Sequence, residues 1–190
     1  MNEDIRTAVI GVGSMGRHHA RVYREMDGVE LVGVHDVDEY QAAAVATAHG
    51  TQAFDSIEEL LSSGIDAVSI AVPTSLHAET AIRAMEAGIH VLVEKPIAGS
   101  LRDATDMMDA ARINDRLLMV GHIERYNPAI RTLSSRVEAD DIVAINVVRV
   151  GPKPPRIKDA GVIIDLAVHD IDLAFYLTGR PTDEVFAVTS

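Results

Sequence analysis

Short apolar runs alternate with helical patterns over the first 122 residues. The runs are rich in β-branched residues and apolar on both faces, which is typical of strands in a parallel sheet that helices cover on both sides. The predicted strands lie at 7–12, 30–35, 66–72, 90–94 and 117–121, with a shorter one at 51–54. The predicted helices lie at 14–26, 39–49, 56–63, 76–87 and 100–114. This alternation predicts a doubly wound α/β domain.

Two of these helices carry start signals of their own. Ser56 is followed three positions later by Glu59, and Ser100 by Asp103. This is the spacing of a capping box, in which the hydroxyl oxygen accepts a hydrogen bond from a backbone N–H of the first turn. The signals support helices that begin at about residues 56 and 100.

The pattern changes after residue 121. We expect a helix near 128–138, a strand at 142–150, a Pro-rich loop at 151–161, a helix at about 163–178 and a last strand from about 184. This order does not continue the strand–helix repeat and favours the beginning of an α+β domain. The sequence therefore predicts two domains, 1–122 and 123–190. We expect the second to be part of a larger, truncated domain, because it is too short for a core of its own.

The charge of the chain limits its partners. The 190 residues include 17 basic and 29 acidic side chains, giving a net charge of −12 with His neutral. Such a surface repels the phosphates of nucleic acids and the anionic headgroups of membranes. We therefore expect neither a nucleic acid nor a membrane as a partner.

Composition also bears on location and on chemistry. The sequence has no cysteine, which excludes disulfides, Cys-ligated zinc and thiol catalysis. Charged residues at positions 3, 4 and 6 precede only a short apolar run, unlike the beginning of a secretory signal peptide. No apolar stretch approaches the ~20 residues of a membrane span. We expect a cytoplasmic protein.

A glycine-rich loop, Gly11-Val-Gly13-Ser14-Met15-Gly16, follows the first strand and opens the first helix. In a loop of this spacing the first glycine allows a tight turn, and the second lets backbone amides approach a pyrophosphate. The third lets the helix pack close to the strand. The helix N-terminus then presents its partial positive charge to the phosphates. The alternative is a purely structural turn, because the same spacing occurs in unrelated loops.

An acidic residue at the end of the second predicted strand strengthens the cofactor interpretation. Asp36 lies twenty positions after Gly16, where a carboxylate can accept the ribose hydroxyls of NAD and repel the 2′-phosphate of NADP. The neighbouring His35 is a weaker phosphate partner than Arg. The sequence therefore predicts NAD in preference to NADP. A methyltransferase, which places similar features around its nucleoside, is a rival interpretation.

A lysine closes the predicted strand at 90–94. Glu94, Lys95 and Pro96 lie at its carboxyl end, the edge at which ligands of open α/β sheets bind. Lys95 is the only lysine in the first 152 residues, in a chain that otherwise uses Arg. An ammonium can donate to a substrate oxygen and can lose its proton when partly buried. An ordinary exposed lysine is the alternative.

The strand at 66–72 ends in a similar way. Pro73 and Thr74 could border a nicotinamide ring, and His77 starts the next helix. For His77 we expect a capping or surface role rather than catalysis. The candidate cofactor contacts at these two strand ends are Pro73, Thr74, His77, Glu94 and Lys95.

The predicted helix at 163–178 carries a polar stripe on an otherwise apolar surface. Asp165, His169, Asp172 and Tyr176 recur at helical spacing, and a helix that is apolar on most sides is buried with its polar stripe facing a cleft. A carboxylate one turn away can orient an imidazole, and His169 could then accept a proton from an alcohol. A solvated helix face and a His/Asp metal site are the alternatives. We expect no metal, because no second ligand cluster is evident.

Together these motifs resemble the glucose–fructose oxidoreductase/inositol dehydrogenase/MocA family of NAD(P)-dependent sugar oxidoreductases. The marks are the glycine loop with His18-His19, the strand ends at 73–77 and 94–96, and Asp165 with His169. The resemblance implies a Rossmann domain followed by an open-faced domain that carries the substrate site. It also implies that Lys95 contacts the reacting hydroxyl, His169 accepts its proton and Asp165 supports His169.

A narrower resemblance points to the branch that oxidises the 3-hydroxyl of UDP-N-acetylglucosamine. It rests on the segments 121–128, 149–152 and 161–165. A basic cluster that includes Lys158 could hold a diphosphate, although a solvated basic loop is an equal alternative. The candidate substrate-binding residues are Arg125, Tyr126, Asn127, Arg149, Lys153, Arg156 and Asp172.

The resulting expectation is an NAD-dependent oxidoreductase that removes hydride from a pyranose hydroxyl, with a nucleotide sugar as the small-molecule substrate. A dehydrogenase of a free sugar or inositol is one alternative, and a non-catalytic NAD-binding regulator is another. The family resemblance also implies a homo-oligomer, because the second-domain sheet of such proteins mediates association. We expect the chain to be a fragment or to need strands from a partner.

Overall fold

The computed structural model describes residues 4–148, 150 and 163–188. The chain forms two compact units, Met1–Gly121 and His122–Ser190. The first unit contains a sheet flanked by helices, whereas the described part of the second contains helices alone. The two units therefore differ in class as well as in size.

All strands of the first unit join one parallel sheet in the order β3-β2-β1-β4-β5-β6. Their bounds are β1 Ile5–Ile10, β2 Val29–His35, β3 Gln52–Ala53, β4 Ala67–Ile70, β5 His90–Val93 and β6 Leu118–Val120. Each predicted strand of this unit is confirmed to within two residues at either end. Since β1 pairs with both β2 and β4, the order reverses there and a crevice opens at the carboxyl edge.

Five helices connect the strands, again within two residues of the predicted bounds. They are α1 Gly16–Glu25, α2 Glu39–His49, α3 Ile57–Leu61, α4 His77–Glu86 and α5 Leu101–Ile113. The predicted caps are confirmed, because Ser56 accepts a hydrogen bond from the N–H of Glu59 and Ser100 from that of Asp103. In the ranges that the structure describes, none of the helices is long and apolar enough to span a membrane.

The core of the first unit consists of two clusters of buried apolar residues. Neighbouring residues of β1 enter different clusters: Val9 packs with Leu31 and Val34, whereas Ile10 packs with Ile70 and other residues. Successive side chains of a strand point to opposite faces of a sheet. The prediction that these strands are apolar on both faces is thus confirmed.

The described part of the second unit is helical. It contains α6 Pro128–Ser134 and α7 Val168–Thr178, with a π-helical segment Ile163–Ala167 leading into α7. Single 3₁₀ turns lie at Ile123–Tyr126 and Ala139–Asp141. The helix expected at 128–138 is therefore shorter than predicted, and the helix expected at 163–178 begins with wider π-type turns.

Two strands predicted for the second unit are wrong within the described residues. Neither 142–148 nor 184–188 has regular structure, although both are rich in β-branched and aromatic residues. Val143 is 98% exposed and Phe186 is 91% exposed. A strand is stable only when a neighbour satisfies its N–H and C=O groups, and the described residues of this unit supply no such neighbour.

Candidate functional site

The loop between β1 and α1 requires glycine at two positions. Gly11 has a φ of +82°, and a Cβ there would lie 2.8 Å from the backbone of Ala71 and Val72. A Cβ on Gly16 would overlap the carbonyl oxygen of Gly11. The turn and the close approach of α1 to β1 thus exclude larger residues at both positions.

Gly13 is different, because no close protein neighbour requires it to be glycine. A Cβ on Gly13 would approach only the side-chain nitrogen of Gln41, at 3.9 Å. The space beside this part of the loop is therefore open. A missing Cβ here leaves the backbone accessible from outside, as the approach of a pyrophosphate requires.

The N-terminus of α1 also lacks a side-chain cap. Met15 occupies the N-cap position without a side-chain hydrogen bond, and Ser14 is exposed. In contrast, Asp38 caps α2 through the N–H groups of Tyr40 and Gln41. The N–H groups of Arg17 and His18 donate to the backbone carbonyls of Gly13 and Met15, so the terminus suits an anion through the partial positive charge of the helix beside the open glycine loop.

Asp36 lies directly beside the glycine loop and is held by three protein donors. Its Oδ2 accepts hydrogen bonds from the N–H of Val12 at 2.7 Å and from the amide of Gln41 at 3.1 Å, and its Oδ1 accepts one from the N–H of Asp38 at 2.9 Å. A carboxylate has about four acceptor sites. In this arrangement Asp36 retains capacity for about one further donor, such as one ribose hydroxyl, rather than for two.

At the end of β5, Glu94 connects Lys95 to helix α1. One oxygen of Glu94 accepts a hydrogen bond from Nε2 of His19 at 2.9 Å, and the other accepts one from the N–H of Lys95 at 3.1 Å. Burial alone would raise the pKa of Glu94. The hydrogen bond and charge of His19, with smaller contributions from Lys95, outweigh burial and lower it.

The contact between His19 and Glu94 extends inward to the centre of the sheet. Nδ1 of His19 lies 3.0 Å from the hydroxyl of Ser69, which lies 2.7 Å from the hydroxyl of Tyr23. Ser69 is fully buried in β4, and burial raises the pKa of Tyr23. This network is not predicted from the sequence. The available signal was Ser69, a hydroxyl residue in the otherwise apolar run 67–72.

His77 is buried, so the surface role expected for it is wrong. It is 1% exposed, and α4 has no side-chain cap. Its Nδ1 lies 2.9 Å from the carbonyl oxygen of Pro96, and its Nε2 lies 3.0 Å from that of Val72. Because both ring nitrogens face backbone carbonyls, His77 connects the chain after β4 to the chain after β5.

Pro73 and Thr74 lie in the chain after β4. The carbonyl oxygen of Pro73 accepts a hydrogen bond from the N–H of Leu76, within a 3₁₀ turn over Thr74–Leu76. Pro73 is exposed and Thr74 is half-buried. These two residues are therefore accessible at the carboxyl edge of the sheet, where the sequence predicts a cofactor.

In the second unit, Asp172 of α7 binds Arg125. The guanidinium donates from Nε at 2.8 Å and from Nη2 at 2.5 Å to the two carboxylate oxygens, and this interaction raises the pKa of Arg125. The Arg125 guanidinium carbon lies 5.6 Å from the ring centre of Tyr176. Nδ1 of His122 lies 3.6 Å from Asp172. The predicted common face of Asp172 and Tyr176 is confirmed, because Arg125 reaches both.

Asn127 and Tyr126 differ in what remains available to a substrate. The side-chain oxygen of Asn127 caps α6 by accepting from the N–H of Ala129 at 3.0 Å, and its amide donates to Glu124 at 3.2 Å. Tyr126 is mostly exposed. Asn127 thus has a structural role, whereas Tyr126 presents its ring to solvent.

The remaining predicted residues are placed only in part. His169 is half-buried in α7, and Asp165 lies in the π-helical segment that precedes it, while the Asp165 side chain lies outside the described structure. Arg149, Lys153 and Arg156 also lie outside the described residues. Lys95 belongs to the first unit and His169 to the second.

The strand order and the loop geometry of the first unit define a class of protein. The strand order 3-2-1-4-5-6, the glycine loop at the switch point and the acid at the end of β2 are the features of a dinucleotide-binding Rossmann domain. The family model described as "Oxidoreductase family, NAD-binding Rossmann fold" (Gfo/Idh/MocA) matches residues 5–122. The chain belongs to this family, which confirms the resemblance drawn from its motifs.

Two curated relatives illustrate the functions found among similar proteins. UDP-N-acetylglucosamine 3-dehydrogenase of Acidithiobacillus ferrooxidans is 40% identical over 97% of this chain and 58% of that protein. The scyllo-inositol 2-dehydrogenase (NAD(+)) of Bacillus subtilis is 34% identical over 97% of this chain and 57% of that protein. The chain thus spans less than two thirds of the length of these relatives.

Two solved structures of similar proteins also match the fold of this chain. The structure of UDP-N-acetylglucosamine 3-dehydrogenase GnnA from Acidithiobacillus ferrooxidans matches with a TM-score of 0.84 at 38% identity, covering 100% of this chain and 62% of that chain. GenD2 from gentamicin A biosynthesis, in complex with NAD, matches with a TM-score of 0.82 at 29% identity, covering 95% of this chain and 55% of that chain.

Proposed function

We propose that the protein to which this chain belongs is an NAD-dependent oxidoreductase that oxidises the 3-hydroxyl of a UDP-N-acetylhexosamine. The observation that carries this proposal is the 40% identity to UDP-N-acetylglucosamine 3-dehydrogenase, which extends over 97% of the chain. The match therefore includes residues of both units. The segments 121–128 and 161–165, which carry the narrower resemblance, lie within the second half of it.

The proposed reaction breaks one C–H and one O–H bond of the sugar and leaves a carbonyl group. NAD, when bound, supplies the acceptor for the hydride. His169 accepts the hydroxyl proton, Asp165 supports His169, and Lys95 donates a hydrogen bond to the same oxygen and polarises it. Glu94, Pro73 and Thr74 border the cofactor at the carboxyl edge of the sheet.

NAD is the proposed cofactor in preference to NADP. The support comes from Asp36, whose carboxylate is fixed beside the glycine loop by three protein donors and would repel a 2′-phosphate. Asp36→Ser should weaken NADH binding and improve NADPH binding, measured by fluorescence titration. An unchanged preference in this variant would count against the role of Asp36.

The substrate is tested by following NAD reduction by the full-length protein with a panel of sugars. UDP-N-acetylglucosamine and UDP-N-acetylgalactosamine are compared with free N-acetylglucosamine and with myo- and scyllo-inositol. Turnover with a UDP-sugar alone supports the proposal. Turnover with inositol alone would favour the second candidate, an inositol dehydrogenase, which the 34% identity to scyllo-inositol 2-dehydrogenase supports.

A non-catalytic NAD-binding regulator predicts a third result. Such a protein would bind NADH tightly and reduce NAD with none of these sugars. The combination of Lys95 with Asp165 and His169 favours the enzyme, because a regulator has no need of all three. We further propose a homo-oligomeric, cytoplasmic protein, and light scattering of the full-length protein tests its oligomeric state.

A further inference from the structure

Lys95 lies between two residues that are each held by a histidine from a different helix. Glu94 precedes it and binds His19 of α1, and Pro96 follows it and faces His77 of α4. The side chains of His19 and Glu94 are 17% and 12% exposed. Both neighbours of the proposed catalytic lysine are thus fixed by imidazole rings from outside their own strand.

The interactions before Lys95 form a continuous chain. An ionised Glu94 can only accept, so Nε2 of His19 donates to it whether the ring is neutral or charged. The hydroxyls of Ser69 and Tyr23 continue the chain from Nδ1 of His19. These contacts hold the His19 ring on the side away from Glu94. The second oxygen of Glu94 remains to accept the N–H of Lys95.

The interactions after Lys95 differ, because two carbonyl oxygens face one ring. Nδ1 of His77 faces Pro96 and Nε2 faces Val72. A neutral imidazole donates from only one nitrogen, and we assign this N–H to Nδ1, so that the ring donates to the carbonyl oxygen of Pro96 and attaches the chain after β5 to α4. This links the position of Lys95 to the loop that carries Pro73 and Thr74.

We propose that His19 and His77 are positioning residues that hold Lys95 at the reacting hydroxyl, His19 through Glu94 and His77 through Pro96. This inference rests on the proposed function, which gives Lys95 its chemical role. A displacement of a catalytic group by about 1 Å can cost a factor of about 100 in rate. Two independent attachments on either side of Lys95 limit such displacement.

Paired substitutions separate these bonds from general packing. The amide nitrogen of Gln can replace Nε2 of His, and that of Asn can replace Nδ1. The variant H19Q therefore retains a donor to Glu94 and H19N does not, whereas H77N retains a donor to Pro96 and H77Q does not. Loss of packing would affect both members of a pair alike. His90→Gln is the control, since His90 accepts a backbone hydrogen bond at the opposite end of β5.

The first measurement is made on this chain and does not depend on turnover. Labelling with ¹⁵N-lysine gives amide signals from only Lys95, Lys153 and Lys158, and Lys95→Arg identifies the first. We expect the Lys95 signal to move in H19N and H77Q and to stay near its wild-type position in H19Q, H77N and the control. In wild type its shift should follow the ionisation of Glu94 at acid pH, and in H19N this transition should move to higher pH.

The second measurement is steady-state kinetics of the full-length protein. We expect kcat to fall by about tenfold or more in H19N and H77Q, with KM for NAD and NADH affinity within about twofold of wild type. The variants H19Q and H77N should retain most of the activity. Thermal unfolding shows whether each variant is folded.

The outcomes are distinct. An unmoved Lys95 signal in folded H19N and H77Q, or equal effects within each pair, would overturn the inference. If H19N does not fold, Tyr23→Phe and Ser69→Ala test the same chain by removing one hydroxyl each, and an unmoved Lys95 signal in both would overturn the part that concerns His19. If the wild-type protein oxidises no sugar while the Lys95 signal moves as expected, the proposed function fails and the positioning of Lys95 stands.

Discussion

Similar apolar side chains have opposite environments in the two units. Ile10 and Ile70 of the first unit are fully buried, whereas Ile171 and Phe175 of α7 are 47% and 42% exposed. Among the described residues of the second unit, only Asp172 is buried. The interior of the first unit thus consists mainly of apolar side chains. In the described part of the second unit, the buried side chain is that of an acidic residue.

This difference shows which forces hold each unit. Burial of apolar area stabilises the first unit directly. The cluster of Asp172 with Arg125, His122 and Tyr176 fixes the 3₁₀ turn at 123–126 against α7, but an ion pair with one partly exposed partner contributes little to stability. The first unit therefore has the stability of a packed domain, and the second has an ordered contact without an apolar core among its described residues.

The largest expected effect separates chemistry from cofactor binding within the first unit. Lys95→Met should reduce turnover of the full-length protein by about 10³-fold, because it removes the proposed donor to the reacting oxygen. NADH affinity should remain within about twofold, since the glycine loop and Asp36 are untouched. Arg102→Met is the control, because Arg102 is a well exposed cation on α5. A comparable loss of NADH affinity would remove Lys95 from the proposed chemistry.

A matched pair of isoleucines tests the difference in packing itself. Ile70→Ala should lower the free energy of unfolding by about 2–5 kcal/mol, because Ile70 is fully buried in the apolar cluster that also contains Ile10 and a cavity would remain. Ile171→Ala should cost less than about 1 kcal/mol, because the side chain is half exposed. Urea unfolding of this chain measures both. Equal losses would show that α7 is packed as tightly as the sheet.

The ionic cluster of the second unit is tested by Asp172→Asn. The variant leaves Arg125 with a weaker, uncharged partner, and since Arg125 is itself partly exposed we expect a loss of about 1 kcal/mol. Hydrogen exchange should accelerate in peptides that cover 122–127 and 168–178. Asp140→Asn is the matched control, because its contact with Arg180 lies at the surface. Identical exchange in the two variants would argue against an ordering role for Asp172.

The smallest expected effect is a pH dependence in the first unit. The contacts of Glu94 lower its pKa below the ordinary value of 4.5. The carboxylate therefore stabilises the fold above that value, and this contribution is lost as pH falls through the lowered pKa. Glu94→Gln should be less stable than wild type near neutral pH, and the difference should shrink below about pH 4. Urea unfolding across this range measures it, and a constant difference would contradict the role of Glu94.

Much of the first unit could be predicted because its signals are local. The central strands of the parallel sheet are apolar on both faces, and the starts of α3 and α5 are set by the nearby caps Ser56 and Ser100. The same holds for the glycine loop, since Gly11 and Gly16 are needed by contacts within one βα turn. Pattern and structure agree wherever neighbouring residues determine the conformation.

The polar network behind Lys95 could not be predicted because it joins residues far apart in sequence. His19 contacts Ser69 and Glu94, which are 50 and 75 positions away. No periodicity connects such positions. His77 illustrates the same limit, since histidine is intermediate in its tendency to be buried, and the two carbonyl groups that it faces come together only in the folded chain.

The strands predicted at 142–150 and from about 184 were wrong for another reason. The β-branched residues there favour an extended conformation, but sheet formation depends on a partner strand more than on intrinsic preference. The described part of the second unit contains no strand to pair with. The residue types of these segments therefore favour a strand, but a strand forms only where a neighbouring strand can hydrogen-bond to it.

The central position of β1 has a consequence for the synthesis of the chain. Its two neighbours, β2 and β4, are made at different times, and β4 begins about 60 residues after β1 ends. At a translation rate of about 5–20 residues per second, one edge of β1 stays unpaired for roughly 3–12 s. An unpaired apolar edge is a template for association with other chains. The order of strands thus leaves this edge of β1 open to association until β4, which ends at Ile70, has been made.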